Sequence, residues 1–151
     1  VLTGLHNRDG LERHFTNVCK SPAQPQSYCL IFLDLDNFKR INDLYGRAVG
    51  DKVLHYFAQQ LGTNMRKNDF CCRWGGDEFL MLLPDVKQDA PLQELERRFQ
   101  TLRELIYQVD QVFFKMGFSF GFSFFPHQSD NLQELIHIAD VSLLEMKNSS
   151  R

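Results

Sequence analysis

Arg73-Trp74-Gly75-Gly76-Asp77-Glu78-Phe79 is the stretch on which the reading of this chain turns. Phe70-Cys71-Cys72 precedes it and Leu80-Met81-Leu82-Leu83 follows. Both flanks are short and apolar, as buried strands are, so the paired glycines predict a tight hairpin between them. Glycine reaches positive φ, and without a side chain it lets backbone come close to a ligand. Two adjacent acids on such a turn have two readings. They are solvated turn residues, which are common, or they are a metal ligand and a proton acceptor. The stretch alone does not choose; residues upstream do.

Upstream, Tyr28-Cys29-Leu30-Ile31-Phe32-Leu33 is a continuous apolar run ending in Asp34-Leu35-Asp36, which predicts a central strand with acids at its C-terminal end. A helix is expected from about Asn37 to Leu44, broken at Gly46. Asp51 is placed to cap the next helix, whose face is Val53, Leu54, Phe57 and Leu61. Further towards the N-terminus, Leu11, Phe15 and Val18 have helical spacing, and the two prolines between Ser21 and Ser27 mark a loop. Downstream, Leu92, Leu95, Phe99, Leu102, Leu105 and Val109 predict one long amphipathic helix. Phe118, Phe120, Phe122 and Phe124 alternate with small or polar residues and predict a strand whose aromatic face belongs to the core. A last helix carries Leu132, Leu135, Ile136, Ala139, Leu143 and Met146. Helices alternating with strands give an α+β fold, an α/β sandwich with helices covering a mixed sheet.

With 151 residues, 43% of them hydrophobic and 14 of them Phe, the chain fits one domain with an aromatic-rich core. A net charge of −2 gives no general case for DNA, RNA or membrane-surface binding. The four cysteines, Cys19, Cys29, Cys71 and Cys72, form no Cys-x-x-Cys pair and no zinc spacing with histidine. They are read as reduced thiols of a cytoplasmic domain, with Cys71 and Cys72 on opposite faces of one strand. No apolar run is long enough for a membrane span. The chain begins at Val1, not Met, which is read as a domain excised from a longer protein, cytoplasmic and possessing no membrane contact of its own.

If the strand ending at Asp34 and Asp36 neighbours the hairpin bearing Asp77 and Glu78, carboxylates converge at one edge of the sheet. Such a cluster is costly without a counter-charge, and oxygen-only ligands suit Mg²⁺ or Mn²⁺. Asn37-Phe38-Lys39 opens the following helix, where free N–H groups and a lysine make an anion site. Taken singly, the acids could be helix caps and Lys39 a solvated surface charge. Acids, cation site, helix N-terminus and lysine together point to nucleotide phosphate chemistry.

At this point the residues carry a family resemblance. Leu2-Thr3-Gly4-Leu5-His6-Asn7-Arg8 resembles the entry motif of GGDEF domains. Asp34-Leu35-Asp36-Asn37-Phe38-Lys39-Arg40-Ile41-Asn42-Asp43, with Gly46, Gly50-Asp51 and Leu54, resembles their nucleotide-binding segment. Gly75 to Phe79 spells the signature, and Ala139-Asp140, Lys147 and Arg151 resemble the closing helix. Arg47, Leu144 and Ser150 stand where the family usually has His, Tyr and Gly.

The resemblance covers nearly the whole chain and implies a polymerase-palm-like fold with diguanylate cyclase activity. In that reaction two GTP condense to cyclic di-GMP with release of two pyrophosphates, at the interface of a homodimer. By resemblance, Asp34, the Leu35 backbone carbonyl and Asp77 hold Mg²⁺ or Mn²⁺. Asp77 accepts the proton with Glu78 in support, and Lys39 stabilises transition-state charge. Asn37 and Phe38 belong to the substrate site, Asn42 and Asp51 read guanine, Gly75 and Gly76 admit the nucleotide, and Lys147 and Arg151 reach its phosphates. Arg66 and Asp69, in an Arg-x-x-Asp pattern before the hairpin, resemble an inhibitory site for the product. Two other readings stand beside the active cyclase. One is a module that holds GTP or cyclic di-GMP without turnover. The other is a partner-binding domain whose acids are only turn residues.

Overall fold

The apolar run from Tyr28 becomes β1 (Tyr28–Leu35), the strand around which the others are arranged. In this computed structural model, which describes residues 6–19 and 27–149, the elements follow the chain in order. They are α1 (Arg8–Cys19), β1, α2 (Phe38–Tyr45), α3 (Arg47–Thr63), β2 (Phe70–Arg73), β3 (Glu78–Pro84) and α4 (Pro91–Arg98), then α5 (Gln100–Glu104), β4 (Tyr107–Val109), β5 (Val112–Phe114), β6 (Phe118–Phe125) and α6 (Leu132–Ser149). The main sheet has the order β2-β3-β1-β6, and β4 pairs with β5 in a separate ribbon. The fold is the expected α+β sandwich. The ladders between these strands are all antiparallel, and among the described residues parallel pairing enters the main sheet as a bridge between His6 and Cys72.

Side-chain alternation gives the sheet two dry faces. Ile31, Leu33, Phe79, Met81, Phe118 and Phe120 face one core, closed by Phe57 and Leu61 of α3, by Leu95 of α4 and Leu102 of α5, and by Phe99 between those two helices. Leu30, Phe32, Leu80 and Leu82 face the other, closed by Leu11 and Phe15 of α1 and by Leu135, Ala139 and Leu143 of α6. The phenylalanine row is core, as its spacing predicts. Cys71 and Cys72 fall on opposite faces, and all four cysteines are free thiols. Burial pushes the thiols up, Cys19 to about 12 and Cys72 to about 12.

α6 lies directly on β6 because of Gly121. A Cβ there would lie 2.1 Å from both the Ala139 carbonyl oxygen and the Leu143 nitrogen. The same helix shields the outer edge of β6. The Phe122 N–H donates to Ser142 Oγ (3.2 Å) and the Phe120 N–H to Met146 Sδ (3.2 Å), so an edge that could recruit another strand is partly covered. This close seating carries the last turn of α6 to the acidic end of β1.

Two expectations are overturned. α3 starts at Arg47, so Asp51 lies inside the helix and is not its cap. Gly46, at φ 92°, ends α2 and opens α3, and the Gly50 N–H bonds straight back to the Gly46 carbonyl (3.1 Å), so the break needs no capping side chain. The long helix over Leu92–Val109 is instead α4, a turn at Phe99, α5 and strand β4. Tyr107–Val109 pairs with Val112–Phe114, and Asp110 takes the left-handed φ of 56° at the turn between them. The apolar spacing there is shared between two short helices and a hairpin. Among the described residues no helix is long and apolar enough to cross a membrane.

Candidate active site

The register of the sheet builds the site. Asp34 stands opposite Glu78 of β3 and opposite Ser119 of β6. Directly opposed residues share a face, so these three side chains lie beneath the end of α6. The Leu35 N–H donates to the Asp77 carbonyl (3.2 Å), pinning the hairpin to the end of β1. The convergence expected from the sequence is thus present for Asp34, Leu35, Asp77 and Glu78. Lys147 of α6 joins them through an ion pair with Asp34 Oδ2. The other oxygen, Asp34 Oδ1, is buried without a hydrogen-bond partner.

Crowding sets the electrostatics. Burial raises the Asp77 pKa, and the Asp34 carboxylate raises it further, against a bond from its own backbone N–H and the charge of Lys147. Burial also raises Glu78, with Asp34, Asp77 and Asp140 adding to it. Burial pulls the Lys147 ammonium down, yet its bond to Asp34 and the charges of Asp34, Asp36 and Asp77 outweigh this and hold it above the ordinary lysine value. Asp36 is steadied from β6: Ser119 Oγ donates to Asp36 Oδ1 (2.9 Å), and the Asp36 N–H donates to the Gly117 carbonyl (2.9 Å).

The hairpin closes with the N–H groups of Trp74 (2.8 Å) and Gly75 (3.3 Å) on the Glu78 carbonyl. The glycines serve by their lack of a side chain, since among the described residues Gly46 is the glycine with positive φ. At Gly75 a Cβ would meet Glu78 Oε1 at 2.8 Å, whereas at Gly76 it would meet open space.

Asn37 precedes α2 in left-handed geometry (φ 58°) and makes no side-chain cap bond. Neither Asp34 nor Asp36 caps this helix. Phe38 is buried in the core and Lys39 is exposed, so this segment offers backbone N–H groups and a mobile charge. Asn42 and Asp51 form a second group on α2 and α3. Asn42 Oδ1 is buried without a partner and sits where Gly50 would carry a Cβ, 1.7 Å from that position. Asp51 is exposed at the rim of a groove of about 600 Å³ that runs between α3 and β4. Arg151 and the entry residues Leu2 to Leu5 lie outside the described residues.

Arg66 and Asp69 are joined locally: the Arg66 N–H donates to Asp69 Oδ2 (2.6 Å). The carboxylate is also ion-paired with Arg98 of α4, and the Asp69 side chain is only 2% exposed. Burial and the charge of Arg66 lower the Arg98 pKa to about 10. Arg66, Arg97 and Arg98 line a pocket of about 200 Å³ with Asp85 and Glu94. Sequence reasoning missed Arg98, Arg73 and Ser119. Ser119 gave no signal of its own, being one of the small residues that alternate with the phenylalanines; Arg98 reads as a surface charge until the fold brings it to Asp69.

Among the described residues no three His, Cys, Asp or Glu side chains form a metal cage by themselves. The donors do fit a hard divalent cation that draws on few protein oxygens. Asp34 Oδ1 is unsatisfied, and Asp77 is crowded by a like charge.

The family model described as "Diguanylate cyclase, GGDEF domain" matches residues 1–151. This chain belongs to the GGDEF domain family. The chain is 35% identical over 158 residues to the diguanylate cyclase DgcM of Escherichia coli K12, covering 100% of this chain and 36% of that protein. A sensory box/GGDEF family protein from Caulobacter crescentus superposes with a TM-score of 0.87 at 32% identity, covering 98% of this chain and 96% of that one. The GGDEF domain of DgcB from Caulobacter crescentus, solved in complex with c-di-GMP, superposes with a TM-score of 0.85 at 27% identity, covering 100% and 88% of the two chains. The chain spans 14–36% of the length of curated relatives that it matches.

Proposed function

We propose that this GGDEF domain is a diguanylate cyclase that condenses two GTP into cyclic di-GMP. The observation that carries the reading is the convergence of Asp34, Asp77 and Glu78 at one end of the sheet, with one Asp34 oxygen left without a partner. A homodimer places two GTP face to face, one held by each domain. The 3′-oxygen of each attacks the α-phosphorus of the other. The new O–P bond forms, the bond to the β-phosphate oxygen breaks, and pyrophosphate leaves. The 3′-hydroxyl proton goes to Asp77, with Glu78 in support, because a raised pKa brings a carboxylate closer to the value a proton acceptor needs. Asp34, the Leu35 carbonyl and Asp77 would hold Mg²⁺ or Mn²⁺, which supplies Lewis-acid stabilisation of phosphoryl charge when bound.

Lys39, Lys147, Arg151 and the N–H groups at Asn37 and Phe38 neutralise the phosphates. Asn42 and Asp51 select guanine, since a site built to hydrogen-bond one base rejects another strongly. Arg66 and Asp69, joined by Arg98, form a product site that takes cyclic di-GMP and restrains the enzyme. The DgcB complex with c-di-GMP supports a family capacity to bind this molecule. The seat of Lys147 on Asp34 favours a second reading, in which the domain holds nucleotide without turning it over. Incubation with GTP and Mg²⁺, followed by detection of cyclic di-GMP, tests the first reading. GTP binding without product would establish the second. ATP competing as well as GTP would remove Asn42 and Asp51 from base recognition.

A further inference from the structure

Arg73 is the last residue of β2, and its side chain turns back onto the hairpin it introduces. Arg73 Nε donates to the Gly75 carbonyl (3.0 Å) and to the Gly76 carbonyl (3.2 Å), and Nη2 donates to the Gly76 carbonyl (2.8 Å). A guanidinium fork suits this task because its donors are fixed in one plane. In a planar trans peptide the N–H points opposite to the C=O. Holding the Gly75 carbonyl on the guanidinium side therefore turns the Gly76 N–H to the other side. Holding the Gly76 carbonyl does the same for the Asp77 N–H. Gly76 is exposed, with open space where a Cβ would stand. From the other side, the Leu35 N–H pins the Asp77 carbonyl.

We propose that Arg73 is a positioning residue of the nucleotide site: through the two glycine carbonyls it aims the Gly76 N–H at a nucleotide phosphate and fixes the backbone that orients Asp77. The inference rests on the proposed cyclase reading. Arg73 also links this turn to the start of α1, because its own N–H donates to the His6 carbonyl (3.0 Å). A second tie runs alongside: Arg8 Nε donates to the Trp74 carbonyl (2.9 Å), and its guanidinium lies 4.1 Å over the Trp74 ring. Arg8 leaves the glycine carbonyls alone, so it serves as the control.

The probe is 3′-deoxy-GTP with Mg²⁺, which lacks the attacking hydroxyl and cannot condense. In the wild-type domain the Gly76 amide resonance is expected to shift on titration with this probe. Wild-type cyclic di-GMP synthesis from GTP checks the underlying reading separately. Arg73→Lys and Arg73→Gln are expected to lower kcat by roughly a hundredfold, the scale of a small misplacement of reacting groups, with a smaller rise in KM. Arg8→Gln is expected to lower the melting temperature and keep wild-type kcat. Wild-type turnover with an unmoved Gly76 amide overturns the inference and leaves the cyclase reading standing. So does wild-type kcat in Arg73→Lys assayed well below its melting temperature. A wild-type domain that neither binds the probe nor makes product removes both.

Discussion

Asp34 and Asp69 are both largely buried carboxylates paired with a cation from a helix, and they differ in what surrounds the pair. Around Asp34 acid is in excess. One oxygen meets Lys147, the other has no donor, and the pKa values of Asp77 and Glu78 are pushed up beside it. Around Asp69 the charges balance, with Arg66, Arg97 and Arg98 against Asp69, Asp85 and Glu94. The carboxylate is closed by Arg98 and the Arg66 N–H, and Arg97 stands in the same pocket. An excess of buried acid calls for a cation, whereas a carboxylate already closed by a guanidinium does not. The first region therefore suits a metal with a nucleotide, and in the second it is the exposed Arg66 guanidinium that remains open to an anion. The lesson is that a carboxylate's role is set by the charge left over around it.

The largest effect is expected at the acid-rich end. Asp34→Ala or Asp77→Ala should lower metal-dependent cyclic di-GMP formation by more than about a hundredfold, since even outer partners of a metal site are worth roughly that. The metal-free melting temperature should hold or rise in Asp77→Ala, because a like charge leaves the cluster. Product assays and thermal melts check both; near wild-type turnover in either variant would break the comparison at its acid side.

Next in size is the region around Asp69, where the effect falls on folding. Arg98→Ala leaves the Asp69 carboxylate buried without its cation, and removing one partner of a buried pair costs about 3–5 kcal/mol. Urea unfolding measures this. A loss under about 1 kcal/mol would show that Asp69 finds other solvation there, and the two carboxylates would no longer differ as argued.

These contrasts show how far the sequence could be read. β1, the hairpin and the phenylalanine strand follow from local pattern: a continuous apolar run, paired glycines and strict alternation. Asp34, Asp77 and Glu78 were legible because each lies at a strand end whose partner strand the hairpin announces. β4 and β5 were not. Leu102, Leu105 and Val109 keep helical spacing, and the turn at Asp110 carries no glycine to betray it. The assignment of Asp51 as a cap failed because Gly46 breaks the chain by its backbone geometry, leaving no side-chain signal. Arg98 and Lys147 were invisible as partners for a different reason. Asp69 and Arg98 are 29 positions apart, and Asp34 and Lys147 are 113 apart, so only the packed fold brings them together.

A smaller change sharpens the Asp69 side. Arg66→Ala keeps the backbone N–H that holds Asp69 and removes only a guanidinium. A hydrogen bond to a charged group is worth about 1.5 kcal/mol or more, so cyclic di-GMP affinity should fall roughly tenfold. Calorimetry on the wild type and the variant measures it, and equal affinity would take Arg66 out of the product site.

The smallest effect is expected from Lys147→Met in the ligand-free domain. The Lys147 side chain is 32% exposed, against 9% for Arg98, so water already screens its pair with Asp34. Pairs of that kind are worth about 0–1 kcal/mol. Methionine keeps most of the side-chain bulk, so the packing of the last turn of α6 should survive. Metal-free stability should therefore fall by no more than about 1 kcal/mol in urea unfolding. The response to Mg²⁺ should then be larger than in the wild type. Both Asp34 oxygens become available to the cation, and a ligand that binds only the folded state raises its stability with its affinity. Parallel melts with and without Mg²⁺, free of nucleotide, read both quantities. A folding loss as large as that of Arg98→Ala would make the two ion pairs equivalent. An unchanged Mg²⁺ shift would mean that Lys147 and the cation do not compete for Asp34, and the acid-rich end would need another account of its unpartnered oxygen.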